Sequence, residues 1–284
     1  MTRWLVTGAG GMLGRDMMSV LAGHEVTGLS RHQLDVTDEF AVLAALADHD
    51  VVVNCAAWTD VDGAEAHEDD AMQVNGRAAE LLARACAVHG ARLAHLSTDY
   101  VFDGTGTSPY AEDAPLSPRS AYGRTKALGE QAVRQLLPES AYVVRTAWLY
   151  GEYGKNFVRT MMALERTRET IDVVEDQVGT PTWSRQVAAA IVRLVQADAP
   201  VGTYHATAKG STTWFGLARA VFEELGADPA RVRPTTSELV RRPAPRPAYA
   251  VLGHDRWQRA GLAAMEEWRP MLSDAMTRMA VREP

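Results

Sequence analysis

An α/β fold built on a doubly wound parallel sheet is predicted by three observations on this 284-residue sequence. The first apolar run ends in a glycine-rich turn, "TGAGGMLG", with Gly8, Gly11 and Gly14 spaced three apart. Later apolar runs such as "VVVNCAA" show no alternation, which fits strands covered on both faces, as in parallel sheets. Segments of helical apolar spacing fill the intervals, so strand and helix alternate five times over residues 1–150.

The elements follow in order. Strand-like sequence begins at Trp4, and "MLGRDMMSVLAG" carries the first helix. "HEVTGLS" reads as a second strand ending at Arg31, and "DVTDEFAVLAALADHD" as a helix capped by Thr37 or Asp38. After "VVVNCAA" a long helix runs from about Asp70 to His89 and leads to "ARLAHLSTDYVF". A helix through "SAYGRTKALGEQAVRQLL" then leads to the strand "AYVVRTAWLYG". Beyond residue 150 the strands shorten ("TIDVVED", "GTYHATA"), and a Pro/Arg-rich stretch, "RRPAPRPAY", appears. This organisation predicts a Rossmann-type dinucleotide-binding domain from residues 1–150 and about 171–200. A smaller, discontinuous α/β substrate-binding lobe is expected from about 151–170 and 201–284.

Composition narrows the function. With 46% hydrophobic and 23% charged residues the chain can bury a large core, and a net charge of −7 argues against nucleic-acid or membrane-surface partners. Cys55 and Cys86 lie in apolar stretches and read as reduced core residues. No leader-like segment or apolar stretch of membrane-spanning length is evident, so a soluble cytoplasmic protein with a small-molecule partner is expected.

Three features carry chemistry. The turn at Gly8, Gly11 and Gly14 leaves backbone N–H groups unpaired at a helix start, where the helix dipole favours a diphosphate. Tyr122 and Lys126, four apart on one helix face, place an ammonium beside a phenol, which would draw the phenol towards the range useful for acid–base work. Thr98, at the end of a buried strand, can polarise the carbonyl oxygen that Tyr122 protonates. After the second strand, where NAD-selective folds place a carboxylate, stand Ser30 and Arg31. NADPH is therefore favoured as cofactor, with NADH possible.

These motifs, together with "LDVTD", "VVNCAAWTDVDGAE", "VNGRAAELLA", "LSTDYVFDG", "RTAWLYG", "DQVGTPT" and "TTWF", resemble the dTDP-4-dehydrorhamnose reductases, a family of extended short-chain dehydrogenase/reductases, over nearly the whole chain. The resemblance implies a catalytic triad of Thr98, Tyr122 and Lys126. It implies a diphosphate cradle of Gly8, Gly11, Met12, Leu13 and Gly14, with Asp35 and Val36 flanking the adenine and Ala56, Ala57 and Thr59 along the ribose and diphosphate path. Thr98, Asp99, Tyr100, Tyr122, Trp148, Asn156 and Trp214 would contact a dTDP-linked 4-keto-6-deoxysugar. The activity implied is NADPH-dependent reduction of the sugar C4 ketone, by a monomer or homodimer.

Two departures matter. Some family members bind magnesium through an acidic residue near the first helix and another a few residues after "DQVGTPT"; Asp16 stands at the first place but Arg185 at the second, so no metal is expected. Sugar-nucleotide 4,6-dehydratases, a rival reading, show Thr-Asp-Glu at the strand end where this chain has Thr98, Asp99 and Tyr100, so elimination lacks its carboxylate. Two alternatives stay open: a reductase for another dTDP-4-keto-deoxysugar of an antibiotic pathway, and a non-catalytic NADP-binding subunit like that of methionine adenosyltransferase. The intact Thr98, Tyr122 and Lys126 speak against the second.

Overall fold

The protein is described over residues 1–280 by a computed structural model. Six parallel strands form the central sheet: β1 Arg3–Thr7, β2 Glu25–Leu29, β3 Val51–Asn54, β4 Arg92–Thr98, β5 Ala141–Thr146 and β6 Gly202–His205. Their spatial order is β6-β5-β4-β3-β1-β2, so the winding reverses between β1 and β3, and a crevice opens at the carboxyl ends of those strands.

Strand alternation divides the core in two. Trp4, Val6, Val53, Leu96 and Val144 face α1 (Met12–Val20), while Leu5, Val52, Leu93 and Val143 face α2 (Glu39–Leu46) and α3 (Ala78–His89). Two further helices complete the layers: α4 (Ala121–Leu136) joins α3, and α5 (Ser184–Gln196) packs on α1. Asp38 caps α2 by accepting from Ala41 N at 3.0 Å, one of the two residues anticipated for that role.

The helix expected from Asp70 to His89 is not uniform. Glu68–Met72 is α-helical and Gln73–Arg77 forms a π turn before α3 begins. The turn has a local use: the Asn75 side chain accepts from Trp58 N at 2.9 Å and donates to Trp58 O and Thr125 Oγ1, each at 3.1 Å. It thereby fixes the loop after β3 against α4.

The segment that returns to the sheet also differs from 171–200. Ile171–Val174 pairs with Val232–Thr235 in a separate two-stranded sheet, whereas β6, expected in the lobe, pairs with β5. The reason is the crossover: α5 buries its apolar face on α1, and the next strand completes a parallel connection at the sheet edge. The second half of the chain also includes helices Phe157–Glu165, Trp214–Glu224, Asp255–Arg259 and Trp268–Ala280 and two short strand pairs, Val178–Gly179 with Thr212–Thr213 and Leu149–Tyr150 with Thr182–Trp183. Among the described residues no helix is long and apolar enough to cross a membrane.

Candidate active site

The glycine turn is built by close approach. Gly8 has φ +67°, and a β-carbon there would lie 2.7 Å from Ala56 N, so the turn after β1 and the loop after β3 line one crevice. Gly11 is the N-cap residue of α1 and supplies no side-chain cap; a β-carbon on it would meet only the Gly8 carbonyl, at 3.3 Å, with open space beyond. An uncapped helix start at an open crevice fits the diphosphate of NADP, which Met12, Leu13 and Gly14 would meet with their amides.

Beyond the turn, Ser30 is held by Gln33, whose Oε1 accepts from Ser30 N at 3.0 Å and Oγ at 2.7 Å, and Arg31 is exposed beside it. Asp35 accepts from the Thr37 amide and hydroxyl, which hold its carboxyl below the ordinary range with a smaller contribution from Arg31. Val36 is buried, Ala56 and Ala57 are half-buried and Thr59 is exposed.

At the end of β4 the chain turns sharply. Thr98 Oγ1 donates to Asp99 Oδ1 at 2.9 Å and accepts from Tyr100 N at 3.2 Å. Ser120 caps α4 by accepting from Gly123 N at 3.1 Å, which sets Tyr122 in the first turn. The Tyr122 hydroxyl shares a hydrogen bond with Thr98, and its ring meets Tyr100 edge-on with centroids 5.5 Å apart. Thr98 and Tyr122 are thus brought together across 24 residues of sequence.

Lys126 is placed otherwise than its spacing suggested. Its Nζ donates to Leu96 O at 2.5 Å, and burial draws its pKa down to about 8, opposed by Glu130. The Tyr122 phenol is pushed up, first by burial and then by Asp99; the Thr98 hydrogen bond opposes both, and Lys126 is not among these influences. Lys126 is thus committed to a backbone carbonyl, and burial is the leading influence on the phenol. The ammonium sits within electrostatic reach of Cys55 and His95, on the floor of the crevice.

The residues expected at the sugar divide into two groups. Tyr100 stands beside Tyr122, and Asp99, buried at 4% exposure, turns to Thr98 instead of the crevice. Trp148 adopts φ +46°, a strained backbone for a bulky residue, and stacks on Trp214 with centroids 3.6 Å apart. A β-carbon on Gly179 would lie 2.4 Å from Trp148 Cε2 and slightly farther from its neighbours in the ring. That pattern marks an approach onto the other indole face. Both faces of Trp148 are therefore covered, leaving its edge for a ligand. Trp214 is itself wedged between Trp148 and Phe157 and donates to Gln177 Oε1 at 3.1 Å, which makes it a buttress. Asn156 also departs from expectation: Oδ1 caps Phe157–Glu165 and Nδ2 donates to Gly151 O at 2.9 Å, so its amide anchors a loop beside Met12.

Two contributors, Gln177 and Gly179, escaped the motif reading. Both lie within "DQVGTPT", but their use depends on aromatic rings distant in sequence. Arg246, in the Pro/Arg-rich stretch, pairs with Asp62 at 2.7 Å and acts electrostatically on Tyr100, so this strap crosses to the short helix Val61–Ala66 that follows the loop after β3. Asp16 accepts from Ser184 Oγ at 2.5 Å and Arg185 donates to Ser19 Oγ at 2.8 Å. Among the described residues no cluster of three or more His, Cys, Asp or Glu could hold a metal.

Comparison with known proteins accords with this geometry. The family model described as "RmlD substrate binding domain" matches residues 2–281. The chain is 52% identical to a dTDP-4-dehydrorhamnose reductase of Streptomyces griseus, covering 99% of this chain and 95% of the relative. It is 53% identical to a dTDP-4-keto-6-deoxy-D-glucose reductase of Streptomyces niveus, covering 96% of each. Among solved structures, a dTDP-4-dehydrorhamnose reductase of Bacillus anthracis in complex with NADP superposes with a TM-score of 0.94 at 34% identity, over 98% of this chain and 100% of that one. The chain belongs to the dTDP-4-dehydrorhamnose reductase family.

Proposed function

We propose that this protein reduces the C4 ketone of a dTDP-linked 6-deoxy-4-hexulose with NADPH, converting dTDP-4-dehydro-L-rhamnose to dTDP-L-rhamnose. The observation that carries this reading is the meeting of the Thr98 and Tyr122 hydroxyls at the carboxyl end of β4, in a sheet whose first strand leads to a helix start without a side-chain cap. Bound at the glycine turn, NADPH supplies the hydride that such a reduction requires.

The chain's own groups do the rest. Tyr122 keeps its proton because burial opposes phenolate, so the phenol is loaded to protonate the oxygen as negative charge develops there. Thr98 holds that oxygen from a second direction. Lys126, anchored on Leu96 O, presents positive charge at the crevice floor for the cofactor ribose. Arg246 and Arg242, gathered by Asp62 on the strap, stand ready for the substrate diphosphate. Arg31 would take the 2′-phosphate.

The name of the Streptomyces niveus relative favours a second reading, in which the ketosugar belongs to another deoxysugar series. One experiment serves both. The protein is incubated with NADPH and each dTDP-4-keto-6-deoxysugar, and the product's C4 stereochemistry is determined by NMR. Oxidation of NADPH with a rhamno product supports the first reading, another configuration supports the second, and no oxidation with any ketosugar refutes both.

A further inference from the structure

We propose that Asp99 is a positioning residue that sets the direction of the Thr98 hydroxyl: when neutral it donates to Thr98 Oγ1 and frees the threonine proton for the ketone oxygen, and when ionised it claims that proton. This rests on the reductase reading above.

A threonine hydroxyl has one proton and two lone pairs. Thr98 Oγ1 accepts from Tyr100 N at 3.2 Å and directs its own proton to Asp99 Oδ1 at 2.9 Å. In that arrangement Thr98 has nothing to donate to a substrate oxygen. If Asp99 carries a proton on Oδ1 instead, that proton fills the second lone pair of Thr98 in place of the Tyr122 hydroxyl, and the threonine proton turns to the Tyr122 oxygen and the crevice. No bond to carbon is made or broken; one proton on Asp99 decides the direction of one hydrogen bond.

The second observation is Oδ2 of Asp99, which is buried and has no hydrogen-bond partner in the structure. A carboxylate with one bare buried oxygen is costly, whereas a neutral carboxyl presents the same atom as a carbonyl oxygen, whose burial costs far less. Burial raises Asp99 to about 7, against hydrogen bonds from Thr98 and from the amides of Asp99 and Tyr100. The groups facing it do not supply a cation. Tyr100 and Tyr122 are both held protonated. Lys126 is turned to Leu96 O, and Asp62 and Arg246 neutralise one another beyond Tyr100. Negative charge on Asp99 also opposes the phenolate left on Tyr122 after protonation. Both effects favour turnover with Asp99 neutral.

The test is the pH profile of kcat for the parent and Asp99→Asn, measured between about pH 6 and about pH 8.5 with NADPH and the ketosugar identified above. The parent's kcat should descend by roughly tenfold per pH unit above the Asp99 midpoint, with the KM for NADPH unmoved. In Asp99→Asn the amide donates at every pH, so kcat should fall a few-fold at pH 6 and lose the descending limb. The idea is overturned if the limb persists in Asp99→Asn, if the parent's kcat rises through this range, or if NADPH KM moves in place of kcat. A carboxyl-carbon NMR titration of the parent needs no variant: a midpoint near 7 assigned to Asp99 supports the switch, and an ordinary carboxylate midpoint refutes it. Tyr122→Phe is run alongside. Parental turnover by that variant would sink the reductase reading itself, whereas an inactive Tyr122→Phe with an unaltered limb in Asp99→Asn sinks only the switch.

Discussion

Replacing Gly179 with alanine should cost both catalysis and stability, and the structure gives the size of the push. The added β-carbon would stand 2.4 Å from Trp148 Cε2, 2.6 Å from Cζ2 and 2.7 Å from Nε1, where ordinary contact begins at 3.4 Å. The indole must therefore retreat by about 1 Å. It cannot retreat freely, because Trp214 is stacked on its far face and is itself backed by Phe157 and tethered to Gln177. Overpacking of this kind costs about 1–3 kcal/mol. A displacement of about 1 Å at a substrate-positioning group can cost about 10²-fold in rate. We expect kcat/KM for the sugar nucleotide to fall by roughly that factor, NADPH affinity to hold, and the melting temperature to drop by several degrees. Adding Trp148→Phe should relieve the clash, so the double variant should melt higher than Gly179→Ala alone, a coupling that a double-mutant cycle reads directly. Parental kcat/KM and parental melting temperature in Gly179→Ala would refute the picture of an indole held between Gly179 and Trp214.

Tyr122→Phe should bind NADPH normally yet lose roughly 10²–10⁴-fold in kcat, as steady-state kinetics will show. Arg31→Ala should weaken NADPH far more than NADH in fluorescence titrations; an equal loss would mean that Arg31 only faces solvent. Arg145→Met should destabilise the protein by about 3–5 kcal/mol in urea unfolding, because it strands Glu130 in the core, and Arg145→Met with Glu130→Met should recover most of that loss. Asp99 should also mark stability. Its folded pKa of about 7 lies above that of the unfolded chain, so its contribution is full at low pH and is lost as pH rises from about 4 through 7. Relative to Asp99→Asn, which stays neutral, the parent should lose stability across that window and nowhere else.

What could be read in advance was local. The glycine turn, the Asp38 cap and the helix that carries Tyr122 and Lys126 are short-range patterns with short-range physics, and each of these elements forms where the pattern put it. Thr98 was readable because an apolar run ends there. The partners of these residues were not. That Lys126 would spend its charge on Leu96 O depends on how α4 leans over β4, and the covering of both Trp148 faces depends on residues 31 and 66 positions later. The edge strand β6 looked like other short strands of the lobe because pairing with β5 is decided by the packing of α5, which leaves no mark in the strand itself. Asn75 gave no sign of a π turn, since the extra residue is stabilised by the Trp58 backbone, 17 residues away.

The helix that carries Tyr122 and Lys126 is held by an arrangement whose cost argues for its use. One turn beyond Lys126, Glu130 takes two hydrogen bonds from Arg145, at 2.9 and 2.8 Å, with both side chains fully buried. Arg145 also donates to Glu112 O at 3.0 Å and to His205 Nε2 at 3.2 Å, and His205 Nδ1 donates to Gly253 O at 2.9 Å. A buried ion pair of this sort is weak as a source of stability, because desolvation offsets the attraction, and apolar residues of similar volume would serve a core as well. It is directional, however. A bidentate guanidinium admits one register of α4 over β5, and the chain through His205 and Gly253 ties that register to β6 and to the C-terminal lobe. On the same sheet face, Thr7 donates to Asn54 Oδ1 at 2.7 Å, which also accepts from Ala56 N, and Asn54 donates to His95 at 3.1 Å. The first network locks the helix bearing Tyr122, the proposed proton donor, and the second locks the loop that meets the glycine turn. Catalysis needs these two parts held at a fixed separation, and polar contacts that tolerate only one geometry do that where apolar packing would let them slide.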